Sequence, residues 1–567
     1  MNMSLNSYIK TQPSVLFVGG FSMPFENLRK CLSMESDMHV PGFAYPLGIL
    51  SIAAVARKQY PDIRYQIINL NKELYFHYKN PDKTPLTIEQ FIESALTTLV
   101  KNPPMIVGIS QLFSTGHTSS LKLAEMIKRL WPKTLIVLGG HHVTNYTENI
   151  IKCPYVDYII RGSGEISFTQ LLGNVLSGKG SIGIPGVVSS IENKDSVSEP
   201  IHDINTLPKL AYDLLDMEAY MLYSGRTVRK SDTRIVSMQL SRGCMFKCTF
   251  CTSFTVHSRK VRTKEPALVI DEIKELVEKY KINTIAIEDD LFGVDKRKLY
   301  LLVELLKSSG LKLRFSYSNS LSIAILNEKM IDCLIEMGME VAYISIESGS
   351  PYVQKHIINK NVNIEKAHRL AKYFRKADIM LIGYFIYGFP GETVDMMKET
   401  VEVAKSLELD WAEMLLAVPL VGSTMLQQLY DKKVLGTDKM EEVMNNADFR
   451  KRLYDSPEIS AGDLEQFVYD ANINVNFFNN SNMKHGRYAK AISIFNDIIS
   501  AYPFHIVCLA CRAYCYKQLG EERLCKNDLS AIEFQKEQHT EAIRLYSIYG
   551  KEIDNLVAKT NIMSQVQ

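Results

Sequence analysis

The sequence predicts an α/β protein in three successive parts: a doubly wound parallel sheet, a second parallel β/α series spaced like a partial barrel of six units, and an all-helical tail. Three observations carry this expectation. Short apolar runs alternate with stretches of helical periodicity up to about residue 180, as in parallel strands joined by helices. Polar loops interrupt the pattern between residues 181 and 228, and a second alternating series follows to about residue 432. Beyond it no strand pattern remains. The expected domains are residues 1–200 with a linker to 228, residues 229–432, and residues 433–567.

In the first part, residues 15–20 (VLFVGG) read as a strand ending in glycines, and residues 46–58 carry apolar positions at helical spacing. A strand at 65–70, a polar insert, a helix at 88–100, a strand at 105–110, a helix at 119–130, a strand at 135–138 closed by Gly139 and Gly140, and a strand at 156–161 complete it. One helix, residues 212–220, is expected in the linker. The second series has strands at 234–240, 284–287, 312–317, 341–346, 381–386 and 413–417, with helices between them such as 266–280. In both architectures ligands sit at the carboxyl ends of the strands. In the tail, Gly486 and Gly520 stand 34 residues apart, the tetratricopeptide period, and Tyr488, Ala491, Phe495 and Pro503 fall roughly where that repeat wants them. A helical cap and a peptide-binding surface are the two readings; a solenoid normally needs at least three repeats.

Composition limits the function. With 46% hydrophobic and 23% charged residues in a chain of 567, disordered and fibrous classes are excluded. The 65 basic and 63 acidic side chains leave a net charge of +2, so no global field favours a nucleic-acid partner. Residues 1–13 lack the apolar core of a signal peptide and no apolar run is long enough for a membrane span, so a cytoplasmic protein without a membrane partner is expected.

The ten cysteines are too sparse for a disulfide framework, yet six of them form two triplets. Cys244, Cys248 and Cys251 follow the first strand of the second series as C-x3-C-x2-C. Three thiolates on one short loop can hold three irons of a four-iron cubane, with the fourth iron open to a ligand. Zinc is the rival, but it usually takes a fourth ligand, and His257 is the one candidate nearby. Cys508, Cys511 and Cys515 fall on one face of an expected helix, at small-residue positions suited to packing rather than to an auxiliary cluster.

The loop SRGCMFKCTFC, with Phe250 before its last cysteine, resembles the cluster loop of the radical S-adenosylmethionine (SAM) enzymes. Glu288-Asp289-Asp290, the IESGS segment at 346–350 and YGFPGET at 387–393 are similar to further elements of that family, in its order. The resemblance implies a [4Fe-4S] cluster on Cys244, Cys248 and Cys251, with SAM on the open iron. Phe250 would lie near the adenine, and Glu347 or Ser348 would reach the ribose. Cleavage of SAM would then yield a 5'-deoxyadenosyl radical.

The first part narrows the family. Ser110-Gln111-Leu112 and the later Gly139-Gly140 resemble the S-x-L and G-G elements of Rossmann-like cobalamin-binding domains. GSGE at 162–165 and LPKLAYDLLDMEAY at 207–220 resemble the cobalamin-binding branch of the radical enzymes. The implied cobalamin contacts are Ser110, Leu112, Gly139 and Gly140. Asp37-Met38-His39-Val40-Pro41-Gly42 matches the cobalt-ligand motif D-x-H-x-x-G literally but lies farther from the first strand than usual, leaving His39 as an axial ligand or a solvated loop histidine. By this resemblance the chain is a cobalamin-dependent radical SAM methyltransferase: after hydrogen abstraction, a methyl group moves from methylcobalamin to an unactivated carbon. A rearrangement or ring-forming enzyme without net methylation is the alternative, and a repeat adaptor with a structural cluster the remote one. The substrate, a small molecule or peptide, is not legible. PLVGST at 419–424 departs from the P-x-P-G-T seen near the end of such barrels. A reducing partner such as flavodoxin or ferredoxin is implied.

Overall fold

The computed structural model describes residues 12–33, 43–80, 84–181, 183–224, 232–317, 319–446 and 450–560. They fall into two compact units: Met1–Val341 with Ile358–Lys360 and Val418–Asp448, and Ala342–Ile357 with Asn361–Ala417 and Phe449–Gln567. The segment holding His39 lies outside the described residues.

The first unit opens with a six-stranded sheet of β1 (Ser14–Gly19), β2 (Arg64–Asn69), β3 (Ile106–Ser110), β4 (Leu135–Gly139), β5 (Tyr158–Ile160) and β6 (Val187–Val188), ordered β2-β1-β3-β4-β5-β6. The first five strands are parallel, and β6 is antiparallel to β5. Along β1, Leu16 and Val18 join one buried apolar layer while Val15 and Phe17 join the other. Burial on both faces is what helices on both sides of a parallel sheet require. Strand order reverses between β1 and β3, so their carboxyl ends form the crevice where such sheets bind ligands.

Several local expectations are corrected. The polar insert after β2 contains the helix Leu70–Lys79, capped at its start by the Asn69 side chain. A further helix, Phe25–Leu32, follows β1, and β6 was not foreseen. In place of one helix at 212–220 there is a 3-10 turn, Tyr212–Leu214, and a helix Met217–Tyr223 started by the Asp216 side chain. Tyr212 Oη donates to Ser237 O at 2.7 Å and Tyr45 Oη to Ile235 O at 3.0 Å, fastening this linker and the first sheet's surroundings to β7 (Ile235–Met238).

After β7 comes a short antiparallel ribbon, β8 (Ser241–Arg242) with β9 (Arg262–Thr263), and then β10 (Thr284–Ile287) and β11 (Arg314–Ser316). Strands β11-β10-β7 make a three-stranded parallel sheet. In the second unit, β12 (Val341–Glu347), β13 (Met380–Tyr387) and β14 (Trp411–Leu416) make another. The six strands expected of the partial barrel all form, three in each of these sheets, and a parallel bridge pairs Phe315 of β11 with Met339.

The tail is helical, as expected. Helices Tyr488–Ala501, Ile506–Gln518, Glu522–Gln538 and Thr540–Thr560 surround an apolar core that includes Phe477, Phe495 and Leu545. Gly486 and Gly520 both take a left-handed backbone, φ +70° and +78°, just before a helix. Asn476, 2% exposed, takes the place of a strand partner for β14: its Nδ2 donates to Ala412 O and its Oδ1 accepts from Ala412 N, both at 2.8 Å. Among the described residues no helix is long and apolar enough to cross a membrane.

Candidate active site: the cysteine loop and the loops of the first sheet

The cysteine loop leaves β8 through Gly243, whose φ of +95° and 2.4 Å approach of any Cβ to Lys260 O admit only glycine. Gly243 N donates to Asp290 Oδ2 at 2.9 Å, and the same oxygen accepts from His257 Nδ1 at 2.8 Å. Burial works against ionisation of Asp290, yet the His257 hydrogen bond holds its pKa below the usual value. Its neighbour Asp289, 3% exposed, accepts from Leu240 N at 2.6 Å and Ser241 Oγ at 2.7 Å. Burial pushes its pKa up to about 7. The acidic end of β10 thus holds both chain segments that lead into and out of the cysteines.

Farther along, Thr249 N donates to Ile358 O at 3.0 Å, Met425 N to Thr249 O at 2.9 Å and Cys251 N to Cys248 O at 3.3 Å. The loop is therefore fixed from several directions while Cys244, Cys248 and Cys251 all stay partly exposed. Phe250 is also partly exposed, beside the last of them. Burial pushes the Cys244 thiol up. Among the described residues no three His, Cys, Asp or Glu side chains converge as ligands of a single ion. A cubane does not require such convergence, because each thiolate binds its own iron. The residues fit a four-iron cluster with one open iron.

In the first sheet, Gly19, Ser110 and Gly139 end β1, β3 and β4 side by side in register. Gln111 turns inward: 1% exposed, its Nε2 donates to Phe21 O at 3.0 Å and Phe113 O at 2.6 Å, and its Oε1 accepts from Ser120 Oγ. The next residues, Leu112 and Phe113, are 51% and 52% exposed, an apolar ledge beside the crevice. The two glycines of the G-G pair differ. Gly140 has φ +108° and would bring a Cβ within 2.5 Å of Gln111 O, whereas at Gly139 the nearest atom, Ile160 O, lies 3.7 Å away. Gly140 serves the turn itself; at the partly exposed Gly139 a Cβ would make only ordinary contact with Ile160, so the fold does not require glycine there, and the bare backbone suits close approach of a cofactor such as cobalamin.

The chain then enters a short helix, His141–Asn145. His142 Nε2 meets His117 Nδ1 and its Nδ1 meets Ser114 Oγ, both at 3.0 Å. Burial pushes the His142 pKa down to about 3 and that of His141 to about 4, so both rings are neutral. The His141 ring lies 6.2 Å from that of His257, and Asn145 Nδ2 donates to Thr255 Oγ1 at 3.0 Å. Ser163 Oγ donates to Val256 O at 3.3 Å. These contacts set the G-G loop against the segment that follows the cysteines.

A buried ion pair reinforces the junction. Arg242 Nη1 donates to Glu165 Oε1 at 2.6 Å, Ser51 Oγ donates to the same oxygen at 2.7 Å, and Arg242 Nη2 reaches Ser51 Oγ at 3.2 Å. Despite burial, the Arg242 guanidinium holds the Glu165 carboxyl below its usual range. Sequence reasoning flagged both motifs, GSGE and the residues before Cys244, without pairing them. The roles of His141 and His257 also escaped it, since nothing local in either sequence names its partner.

In the second unit, Glu347 ends β12 with φ +65°. Ser348 has no exposure, and its hydroxyl bonds Thr400 Oγ1 at 3.0 Å and accepts from Ser350 N at 3.2 Å. Of the expected pair, Ser348 is therefore committed within the fold. The YGFPGET segment forms a turn in which Gly388 N and Phe389 N donate to Glu392 Oε2 at 2.7 and 3.1 Å. Burial pushes the Glu392 pKa up to about 8. In the tail, Cys508, Cys511 and Cys515 lie on the helix Ile506–Gln518 with 0% exposure.

The Radical SAM superfamily matches residues 238–404 and the B12 binding domain matches residues 38–172, together a little over half of the chain. The chain is 28% identical over 398 residues to an uncharacterized methyltransferase, PH0819, of Pyrococcus horikoshii, covering 69% of this chain and 80% of that protein. It is 26% identical over 426 residues to cytidylyl-2-hydroxyethylphosphonate methyltransferase of Streptomyces wedmorensis, covering 69% and 78%. The anaerobic magnesium-protoporphyrin IX monomethyl ester cyclase of Rubrivivax gelatinosus is 24% identical over 351 residues, 61% of each chain. Among solved structures, the cobalamin-dependent SAM radical enzyme OxsB, with aqua-cobalamin and SAM bound, superposes with a TM-score of 0.57 at 14% identity, over 97% of this chain and 84% of that one.

Proposed function

We propose that the chain, which matches both the B12 binding domain and the Radical SAM superfamily, is a C-methyltransferase acting on a small molecule. Its cofactors are a [4Fe-4S] cluster, SAM and cobalamin. When bound, the cluster and SAM supply a 5'-deoxyadenosyl radical, and cobalamin supplies a methyl group.

In this reading Cys244, Cys248 and Cys251 hold the cluster, Gly243 and Asp290 fix the loop, and Phe250 lies near the adenine. Glu347 or Ser348 serves the ribose; both are buried, and the Ser348 hydroxyl bonds Thr400. Ser110, Leu112 and Gly139 receive cobalamin. The observation that carries the proposal is the junction between the G-G loop and the segment after the cysteines, Asn145 to Thr255 and His141 beside His257. A methyl source and a radical source must serve the same substrate carbon, and this junction supports adjoining sites for them. Against the adaptor reading stand the matches to the B12 binding domain and the Radical SAM superfamily. Residues 229–432 remain the proposed radical domain, residues 433–567 a helical cap, the reductant a flavodoxin or ferredoxin, and the compartment the cytoplasm.

The ring-forming alternative rests on the cyclase relative. Reduced, cobalamin-loaded enzyme given methyl-labelled SAM without substrate separates the two. A methyltransferase transfers label to the corrinoid and releases S-adenosylhomocysteine. Failure of both, with cobalamin bound and SAM still cleaved to 5'-deoxyadenosine, would favour the alternative.

A further inference from the structure

The turn that ends β12 is strained. Ser348 N donates to Ile346 O at 2.9 Å across a single residue, Glu347, whose φ is +65°. A three-residue turn with a left-handed centre is the rarer kind of γ-turn, and away from glycine it carries a cost that the surroundings must offset. Backbone of this kind persists where neighbouring groups hold it, and such positions gather at ligand sites.

One side chain spans it. Gln354, 3% exposed, donates from Nε2 to Ile346 O at 2.7 Å and to Ser348 O at 2.6 Å, so a single amide group grips both ends of the turn. Its Oε1 accepts from Val362 N at 3.1 Å. Two carbonyls on one side and an N–H on the other admit only one placement of the amide nitrogen and oxygen. Gln354 lies on a short π-helix, Val353–Ile357, a wider turn than the α-helix and one frequent at functional sites. Thr400, 0% exposed on the helix Val394–Ser406, bonds Ser348 Oγ at 3.0 Å and accepts from Gly349 N at 2.9 Å. Thr400 thus holds the stretch after the turn, and Gln354 the turn itself.

Resting on the reading of Glu347 or Ser348 as the ribose contact, we propose that Gln354 is the positioning residue for that contact: its amide sets the left-handed turn that aims residues 347 and 348 at the ribose of SAM. In an ordinary extended strand successive side chains alternate between faces, so relaxation of the turn would redirect both. A hydrogen bond to a ribose hydroxyl has a narrow range of distance and angle, and a redirected side chain would lose it. Gln354 itself touches backbone, so it acts through the turn and not on the ligand.

Calorimetric titration of the anaerobically reconstituted full chain with SAM, and with a SAM analogue lacking the 2'- and 3'-hydroxyls, tests it. The unaltered chain should bind the analogue about tenfold more weakly than SAM. In Gln354→Met, checked for iron content, cobalamin retention and folding at the titration temperature, SAM should weaken about tenfold while the analogue is nearly unaffected, so the preference disappears. Gln354→Glu, close in shape but without the two donors when ionised, should behave in the same way. A merely structural role would weaken both ligands alike. SAM should also slow amide exchange at residues 346–350 of the unaltered chain more than the analogue does, a measurement that needs no variant. Equal binding of the two ligands by the unaltered chain would overturn the ribose reading and this proposal with it. In a chain that does prefer SAM, a preference kept by the variants, both ligands weakened alike, or equal slowing of exchange would overturn the role of Gln354 alone.

Discussion

Two cysteine triplets in this chain have nearly mirrored spacing and opposite surroundings. Cys244, Cys248 and Cys251 sit on an irregular loop, each partly exposed, whereas Cys508, Cys511 and Cys515 lie on one helix with 0% exposure. Burial pushes the Cys515 thiol up to about 12 and the other two tail thiols upward as well, and Cys508 Sγ donates to Phe495 O at 3.7 Å. Such thiols behave as small apolar side chains. Spacing alone does not separate a cluster site from a helix core; what separates them is whether the backbone is free to arrange the sulfurs around a guest.

The largest expected effect follows directly. Replacing Cys244, Cys248 and Cys251 with alanine should remove iron and sulfide from the anaerobically reconstituted protein and abolish SAM cleavage. The same change at Cys508, Cys511 and Cys515 should leave iron, sulfide and cleavage intact while costing roughly 1 kcal/mol of stability per site through lost packing. Iron loss in the tail variant without unfolding would erase the distinction.

Next in size is the ion pair behind the loop. Glu165→Ala leaves Arg242 buried and unpaired, and should cost about 3 kcal/mol in a denaturant titration. The pH dependence has a definite sign. Because the folded Glu165 is held below 4.5, its stabilisation is complete above that value and lost as pH falls through the depressed pKa. Glu165→Gln should therefore lower stability at neutral pH and flatten the acid limb. An unchanged acid limb would show that the pair is not what fastens the loop.

The smallest effect on the fold, and the most specific one, concerns the two glycines. Gly140→Ala should destabilise the chain whether or not cobalamin is present, by about 1 kcal/mol or more, because its Cβ meets Gln111 O and its φ is left-handed. Gly139→Val should leave the melting temperature of the cobalamin-free protein within about 2 °C and reduce cobalamin retention after gel filtration. Full retention would move the cofactor off this crevice.

These contrasts also mark what was legible in the sequence. The alternation of apolar runs and helices disclosed the parallel sheet, because strands buried on both faces cannot hide their composition. The helix Pro266–Tyr280 starts and ends where its periodicity predicts. The cysteine loop was legible because its three cysteines lie close together in sequence, at positions 244, 248 and 251. Helix Leu70–Lys79 was obscured by its mixed charged and aromatic residues, only Leu70 and Leu74 being buried. Two-residue strands such as β6 are too short for a period. Glu165 and Arg242, 77 positions apart, and His141 and His257 meet only through the fold.

The central claim, that methyl transfer and radical formation serve one substrate carbon, is tested most directly by product analysis. Reduced, cobalamin-loaded enzyme would be incubated with small-molecule candidates carrying deuterium at the accepting carbon. The account predicts deuterium in 5'-deoxyadenosine, one S-adenosylhomocysteine for each 5'-deoxyadenosine, and a product heavier by one methyl group. Deuterium transfer with a product of unchanged carbon count would contradict it.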